Sequence, residues 1–381
     1  MNTLLFISHS SAAVGGGEDD FLRLLKFMKG KFIIYAVFPE GDRAKEFAQL
    51  SDKYLVVPDR AYPGNFFRLK TILAYLYFNL KKLFILYPFL RKNLKNIDLS
   101  FVNSSVCILE IRLLKFLKMP YVISVKERIH PGYVMNYVHK LIDKSAFKVI
   151  VISNYLKKLL SVNVKNKDII IIRASIDEDD YASIRKNQNQ VVMKTKFVIL
   201  NVGQIYGLKN QILLVEAVNK LKCKDTISLR FAGFVADNKY GKELKKKVDD
   251  YGMNNIVEFL GTLNKKEIVT EYLNSDLVII TSKEEGMSLV LVEALFFEKP
   301  VISTNVGIIP EVLINYENGI ILKEANPEYL SEAIDNLMND QFLYNKIQRN
   351  SLKTFHINFN LEKALEEHYK IFNECLSTET K

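Results

Sequence analysis

Short apolar runs alternate with stretches of helical periodicity along almost the whole chain. In the first part, strands are predicted at residues 3–7, Phe32–Phe38, Leu99–Asn103, Tyr121–Val125, Val149–Ser153 and Asp168–Arg173. The rhythm restarts later, with strands at Phe197–Val202, Ser228–Phe231, Val257–Leu260, Leu277–Thr281, Val301–Thr304 and Ile320–Leu322. Apolar strands separated by helices predict parallel sheets with helices on both faces. The pattern therefore indicates the α/β class, with two doubly wound sheets.

A polar stretch separates the two alternations. Glu178–Lys196 is rich in Asp, Asn, Lys and Gln and lacks apolar periodicity, as is typical of a linker. We therefore expect an N-terminal domain at 1–178, a linker at 179–196, a second domain at 197–357 and a C-terminal helical segment at 358–381. The length of 381 residues suits two domains of ordinary size.

Composition and cysteine usage restrict the class of protein. With 49% hydrophobic and 25% charged residues, the chain is typical of a globular protein. The three cysteines have no metal-ligand spacing and form no even-numbered framework, which predicts reduced thiols and a cytoplasmic location. The N-terminal apolar run is too short for a signal peptide, and no uninterrupted apolar stretch is long enough to span a bilayer.

The charge is unevenly distributed. The formal net charge is +10, and basic residues are concentrated between Arg68 and Lys95, which favours anionic partners. The segment Phe66–Phe89 interleaves aromatic and aliphatic residues with lysine and arginine, a pattern expected of a helix on the anionic inner face of a membrane. A solvated basic face on an ordinary core helix explains the same pattern equally well. Nucleic acid is not expected as a partner, because no zinc-finger spacing or RNA-binding signature occurs.

Two glutamates frame the start of a predicted helix. Glu285 lies in the turn after a strand, and Ser288–Phe297 is predicted to be an apolar helix that contains Glu293. Backbone N–H groups at its start would have no acceptor within the helix and could bind a diphosphate. The residues expected there are Gly286, Met287, Ser288 and Leu289. Glu293 lies roughly 7 to 8 Å further along the helix axis and could accept hydrogen bonds from a sugar diol. The alternative is that Glu285 is an acid in the first turn favoured by the helix dipole and that Glu293 is a solvated helix residue.

This segment resembles the donor-binding signature of retaining glycosyltransferases of family 4, the group 1 transferases, whose hallmark is two glutamates separated by seven residues. Further landmarks follow in the same order: Val202-Gly203-Gln204 with Lys209, Phe231-Ala232-Gly233, Phe259-Leu260-Gly261, Ser275-Asp276, Asn305-Val306-Gly307 with Pro310-Glu311, and Glu317-Asn318-Gly319. The resemblance implies a GT-B fold, in which two Rossmann-like domains face each other across a cleft and a C-terminal helix returns to the first domain. It also implies transfer of a hexose from a UDP- or GDP-linked sugar to an acceptor hydroxyl, with retention of configuration. The basic aromatic segment suggests a lipid-linked or glycan acceptor, and the histidines have no ligand spacing, so no metal or other cofactor is expected. Bacterial surface polysaccharide or glycolipid assembly is the expected setting.

The resemblance assigns roles to further residues of the second domain. Lys209 would neutralise the diphosphate beside Gly203, and Glu285 would orient the donor sugar. Gln204 stands where the family has an arginine, so it brings hydrogen-bond donors but no charge. Gly307 would lie beside the nucleotide sugar.

In the first domain, Gly16 and Gly17 follow the first strand, and the resemblance places them in a loop over the donor phosphates or the acceptor. The family often has a histidine followed by an acid after the fifth strand; here Lys126 and Glu127 fill that place, as candidates to contact the donor and orient the acceptor. The alternatives are that Gly16 and Gly17 belong to a flexible loop without a ligand, and that Lys126 and Glu127 are surface residues at the end of a strand.

Two rival functions remain open from the sequence. A sugar-nucleotide epimerase on the same two domains would need additional acid and base residues. A non-catalytic sugar-nucleotide-binding subunit is suggested by Gln204 and by the missing histidine.

Overall fold

Two parallel sheets organise the chain. The computed structural model describes residues 1–12, 16–58, 69–130, 132–186 and 195–378, with only the backbone of residues 69–72. The chain divides into a first unit, Met1–Ala174 together with the C-terminal segment from Glu362, and a second unit, Ser175–Leu361. Each unit is built around its own sheet.

The first unit begins with a strand and continues in strict alternation. Its elements are β1 (Thr3–Ile7), α1 (Gly16–Met28), β2 (Ile33–Pro39), α2 (Ala44–Leu50), β3 (Lys53–Val57), α3 (Leu69–Asn93), β4 (Leu99–Val102), α4 (Ile108–Phe116), β5 (Tyr121–Val125), α5 (Gly132–Ser145), β6 (Lys148–Val151), α6 (Asn154–Ser161) and β7 (Ile169–Ile171).

The first sheet has seven parallel strands in the order β3-β2-β1-β4-β5-β6-β7. The strand order reverses between β1 and β4, which is where an open α/β sheet binds its ligands. β1 is buried along its whole length, as expected of a central strand covered on both faces.

The second unit repeats the plan. Its elements are α7 (Glu178–Lys186), β8 (Phe197–Val202), α8 (Gln211–Lys220), β9 (Ile227–Ala232), α9 (Asn238–Asp250), β10 (Val257–Gly261), α10 (Lys265–Asn274), β11 (Leu277–Ile280), α11 (Leu289–Phe296), β12 (Val301–Ser303), α12 (Ile309–Val312), β13 (Ile320–Ile321), α13 (Pro327–Asn339) and α14 (Gln341–Asn358), and α15 (Leu361–Thr378) completes the chain.

The second sheet has six parallel strands in the order β10-β9-β8-β11-β12-β13, so its reversal lies between β8 and β11. Local sequence fixes the helix starts around it. At α10, for example, the Asn264 side chain accepts from the Glu267 amide while the Glu267 carboxylate accepts from the Asn264 amide, a complete capping box.

Helix α15 packs on the first sheet. The Phe372 ring lies 5.4 Å from that of Phe101 and 6.0 Å from that of Phe6, between ring centroids. Lys148 and Glu374 form an ion pair of 2.5 Å at the same interface. Phe372 of α15 thus contributes an aromatic contact to the core of the first unit.

The structure contains one helix and one strand that the sequence did not predict. Glu178–Lys186, within the predicted linker, is a helix whose Tyr181 is buried among the apolar residues of the second unit; its polarity reflects one wet face. Strand β3 was not among the predicted strands, because Lys53–Val57 lies at the sheet edge and only Val57 is fully buried. Among the described residues, no helix combines the length and the apolarity needed to cross a membrane.

Candidate functional site

The candidate site of the second unit lies at the carboxyl edge of its sheet. Loops leave this edge from β8, β9, β11 and β12, on both sides of the reversal in strand order. The loop after β8 carries Gly203 and Lys209, and the loop after β9 carries Gly233. Glu285 follows β11, and Gly307 follows β12. The topology therefore brings together residues that are up to about a hundred positions apart in sequence.

An ion pair joins two of these loops. Lys209 Nζ lies 2.6 Å from Glu285 Oε1, and the side chains are 23% and 10% exposed. Ser282 Oγ donates to the same carboxylate oxygen over 2.7 Å. Thr281 Oγ1 donates to the Lys209 carbonyl oxygen over 2.7 Å. Lys209 is thus held at its backbone by Thr281 and at its ammonium group by Glu285, and the ammonium retains further N–H donors.

Two glycines allow the loops to approach each other closely. Gly307 has φ of +53°, and a Cβ there would lie 2.2 Å from the carbonyl oxygen of Glu285. Gly233 has φ of +154°, and its Cβ would lie 2.0 Å from the carbonyl oxygen of Gly203. Neither position could hold a side chain without moving the backbone that carries the site.

The start of α11 presents unpaired polar groups. Ser288 is its N-cap, but its side chain makes no capping hydrogen bond. The hydroxyl is buried, with the residue 2% exposed, and has no hydrogen-bond partner among the described residues. The amides of Leu289 and Val290, at the first helical positions, have no acceptor within the helix. Together these groups form a set of donors suited to an anion; Gly286 and Met287 precede them and are half-buried.

Glu293 finds partners within the protein. Tyr181 Oη donates to its Oε1 over 2.6 Å, and Tyr272 Oη donates to its Oε2 over 2.7 Å. Burial raises the pKa of Tyr272 well above its usual range, and the Glu293 carboxylate adds to the shift. The two tyrosine hydroxyls therefore give Glu293, which lies in an otherwise apolar helix, hydrogen-bond partners within the protein.

Gln204 is exposed, and its carbonyl oxygen accepts from Gln211 Nε2 over 2.9 Å. Lys209 has the ion pair described above, whereas Gln204 contributes no charge to the site. The sequence-based expectation that phosphate neutralisation rests on Lys209 remains a prediction.

A second polar cluster lies at the carboxyl edge of the first sheet. Lys126, after β5, forms an ion pair of 3.1 Å with Asp20 of α1, and Arg23 pairs with the same carboxylate over 2.9 Å. Burial alone would raise the pKa of Asp20, but the charges of Lys126 and Arg23 outweigh it and lower that pKa below its usual value. The carboxylate therefore stays ionised and holds Lys126.

Glu127 is held by serines that follow β4. Its Oε1 accepts from Ser104 Oγ at 2.6 Å, Ser105 N at 3.0 Å and Ser105 Oγ at 2.9 Å. Lys126 and Glu127 are thus anchored side chains and not freely solvated ones.

The glycine loop of the first unit differs from the prediction. Gly16 and Gly17 are the first residues of α1, and the Gly17 carbonyl oxygen accepts from Asn103 Nδ2 over 3.2 Å. Gly16 and Gly17 therefore lie in the first turn of α1 and not in the predicted loop, because the acidic residues that follow them favour a first helical turn. Gly15 lies outside the described residues.

Sequence reasoning missed several of these partners. Ser282 follows β11 directly and could have been found as a polar residue at a strand end. Tyr181, Tyr272 and Asp20 reach the clusters from helices far away in sequence, and no spacing rule connects them. In the described part of the chain, no group of three or more His, Cys, Asp or Glu residues is arranged to hold a metal ion.

Comparison with known proteins identifies the second unit. Residues 183–354 match the family model described as glycosyl transferases group 1. The matched region contains every residue of the Lys209–Glu285 site. The predicted resemblance to group 1 transferases is confirmed over this region.

Two curated relatives illustrate the similarity in sequence. An uncharacterized glycosyltransferase of Methanocaldococcus jannaschii is 29% identical over 238 residues, which are 62% of this chain and 62% of that protein. The capsular polysaccharide biosynthesis glycosyltransferase CapM of Staphylococcus aureus is 23% identical over 257 residues, 64% of this chain and 66% of that protein. The chain thus spans less than two thirds of these relatives.

The structure of Anabaena HepE in complex with UDP-glucose superposes with a TM-score of 0.80 and 19% identity, covering 98% of this chain and 99% of that one. The predicted GT-B class, with two Rossmann-like domains, is confirmed by such neighbours.

Proposed function

We propose that the chain is a retaining glycosyltransferase that moves a hexose from a nucleotide diphosphate sugar to an acceptor hydroxyl. The observation that carries this proposal is the Lys209–Glu285 ion pair of 2.6 Å beside the unpaired donors at the start of α11. A cation, free amides and a buried hydroxyl suit a diphosphate, and a carboxylate beside them suits the hydroxyls of the attached sugar.

The donor would lie along the carboxyl edge of the second sheet. The diphosphate accepts hydrogen bonds from Lys209, the first amides of α11 and the Ser288 hydroxyl. Glu285 accepts from the donor sugar, and Glu293, oriented by Tyr181 and Tyr272, accepts from the ribose diol. UDP-glucose is the first donor to test, because HepE is bound to it in a structure of the same fold; a GDP-linked sugar is the second.

The reaction exchanges one bond at the anomeric carbon for another. The bond from the anomeric carbon to the phosphate oxygen breaks, and its electron pair leaves with the nucleoside diphosphate. The acceptor oxygen bonds to the same face of that carbon, and its proton passes to the leaving phosphate oxygen. Lys209 and the α11 amides stabilise the charge that develops on the diphosphate. The products are a glycoside of unchanged anomeric configuration and a nucleoside diphosphate.

The polar cluster of the first unit is the proposed acceptor side. Glu127, fixed by Ser104 and Ser105, can accept a hydrogen bond from an acceptor hydroxyl, and Lys126 can contact an anionic group of either substrate. We propose a lipid-linked or glycan acceptor used in surface polysaccharide assembly at the inner face of an anionic membrane. The similarity to CapM supports this class of acceptor.

The test is a turnover assay with the full chain and a panel of nucleotide sugars. We expect release of nucleoside diphosphate that depends on an added lipid-linked acceptor. By NMR, the anomeric proton of the product should have the same axial or equatorial orientation as the anomeric proton of the donor sugar. Glu285→Gln should abolish most turnover while preserving the fold, since the amide keeps the volume of the side chain. An isomerised donor would indicate an epimerase, and tight donor binding without turnover would indicate a binding subunit; either result contradicts the proposal.

A further inference from the structure

The outward side of helix α3 carries large apolar side chains. Leu73, Leu76, Tyr77, Leu80 and Phe84 are 56%, 52%, 54%, 54% and 76% exposed, respectively. Their spacing of three and four residues places them on one side of the helix, over about 16 Å of its axis. A helix on a domain surface ordinarily turns polar residues to water. These five side chains, here called the α3 outer face, do the opposite.

The opposite side of α3 is anchored in the first unit. Leu86 and Leu90 are fully buried. Lys82 points inward and pairs over 2.5 Å with Glu110 of α4, a carboxylate that is 2% exposed. The packing of the first unit therefore uses one side of α3 and does not account for the apolar outer face.

The exposed charged residues in the described part of α3 are all basic. They are Lys81, Arg91 and Lys92, and the sequence has no Asp or Glu from residue 60 to residue 97. Lys81 is exposed beside the outer face, with its ammonium 4.6 Å from the Tyr77 ring centroid. Arg91 and Lys92 are exposed about two turns beyond Phe84. An apolar stripe bordered by cations fits a partner that is apolar within and anionic at its surface.

The patch continues onto the neighbouring helix. Phe116, the last residue of α4, is 71% exposed, and its ring lies 6.4 Å from that of Tyr87 on α3. Arg91 donates to the Tyr87 hydroxyl over 2.7 Å. Aromatic side chains with a polar tip next to a cation are favoured where headgroups meet acyl chains.

We propose that the α3 outer face docks on an anionic phospholipid surface. Leu76, Leu80 and Phe84 enter the boundary between headgroups and acyl chains, while Lys81, Arg91 and Lys92 meet lipid phosphates. The inference rests on the proposed use of a lipid-linked acceptor and names the surface by which the chain reaches it. A second copy of this chain fits less well, because pairing two such faces would bring like charges together.

The experiment is flotation of the full chain with phosphatidylcholine vesicles that contain or lack phosphatidylglycerol. We expect binding to the anionic vesicles at low salt, weakening at high salt, and little binding to the neutral ones. The triple variant L76S/L80S/F84S should lose at least about tenfold in vesicle affinity, because three inserted apolar side chains are removed. The matched control is I314S/F342S/I357S, whose residues are 64%, 75% and 71% exposed on the second unit; it should bind vesicles like the wild type.

Three results would overturn the proposal. The first is wild-type protein that ignores anionic vesicles at low salt. The second is an outer-face variant that binds them as well as the control does. The third is a wild-type dimer by light scattering that L76S/L80S/F84S converts to a monomer, which would assign the face to self-association. Donor binding by the wild type and the two triple variants is measured in parallel by calorimetry and should be equal in all three. A wild type that binds vesicles but no donor would contradict the proposed function and not the proposed membrane surface.

Discussion

The hydroxyl of Tyr272 lies 2.7 Å from Oε2 of Glu293, and that of Tyr181 lies 2.6 Å from the other oxygen of the same carboxylate. Two tyrosines from different helices thus fix the orientation of the second glutamate of the signature. The Tyr272 ring also stacks on Phe297 at 5.3 Å between centroids. Removing only the hydroxyl therefore separates the hydrogen bond from the packing.

We expect Tyr272→Phe to weaken donor binding several-fold, because Glu293 loses a group that orients it. The free energy of unfolding should fall by about 1 to 2 kcal/mol for a lost buried hydrogen bond to a charged group. Calorimetric titration and urea unfolding measure the two effects. Tyr344→Phe is the control, since its hydroxyl donates to the Asp276 carbonyl over 3.0 Å; equal donor affinities for the two variants would contradict the role given to Tyr272.

A methyl group at Gly307 should damage the donor site. Gly307 and Gly252 have similar backbone conformations, with φ of +53° and +63°, but only at Gly307 would a Cβ meet a backbone oxygen, at 2.2 Å. Gly252→Ala should cost about 1 kcal/mol of stability from backbone strain alone. Gly307→Ala should cost more and reduce donor affinity at least about tenfold, because the Glu285 loop must move. Similar donor affinity in both variants would refute this coupling.

The buried hydroxyl of Ser288 allows a test in which stability and binding move in opposite directions. With no partner among the described residues, this hydroxyl is desolvated without compensation. Ser288→Ala should leave the melting temperature unchanged or raise it by a few degrees, and should weaken binding of a nucleoside diphosphate. A variant that loses stability but not affinity would show that the hydroxyl serves the fold.

The acid stability of the first unit should depend on His139. Burial lowers the pKa of His139 to about 4 from its ordinary 6.5, and the side chain is 3% exposed. Between pH 6.5 and about 4 the unfolded chain takes up a proton that the folded chain does not. The stability contributed by neutral His139 is therefore fully present above pH 6.5 and falls as the pH is lowered, by roughly 3 kcal/mol over that window.

His139→Leu should flatten this part of the profile, as judged from urea midpoints at several pH values. His356, whose side chain is 54% exposed, provides the control as His356→Leu. An unchanged acid slope in His139→Leu would show that other groups dominate it.

The sequence predicted the central strands and the residues of the second sheet edge for a clear physical reason. Buried parallel strands such as β11 and β12 are continuous apolar runs, and the polar residues that follow them must lie at one edge. The edge strand β3 and the polar helix α7 were missed because each has a wet face that dilutes the apolar signal. Predictions from short-range spacing also fail where the partner comes from elsewhere, as with Tyr181 on Glu293 or Asp20 on Lys126.

Part of the basic aromatic segment, Phe66 to Arg68, lies outside the described residues. Within the described part of α3, the sequence predicted the composition of the surface, but only the packing of Lys82 on Glu110 shows which side faces out. Orientation of a helix that is apolar on both sides cannot be obtained from periodicity alone.

The most direct test of the donor site is calorimetric titration of a nucleoside diphosphate and the corresponding monophosphate into the wild type and Lys209→Met. Lys346→Met is the matched control, because Lys346 also forms an ion pair of 2.6 Å in the second unit, with Glu317. If Lys209 and the α11 amides hold the diphosphate, the wild type and the control should bind the diphosphate more tightly than the monophosphate. Lys209→Met should lose most of that preference, with an affinity for the diphosphate that is lower by about tenfold or more. Equal binding of both nucleotides by all three proteins, or no nucleotide binding by the wild type, would contradict the account.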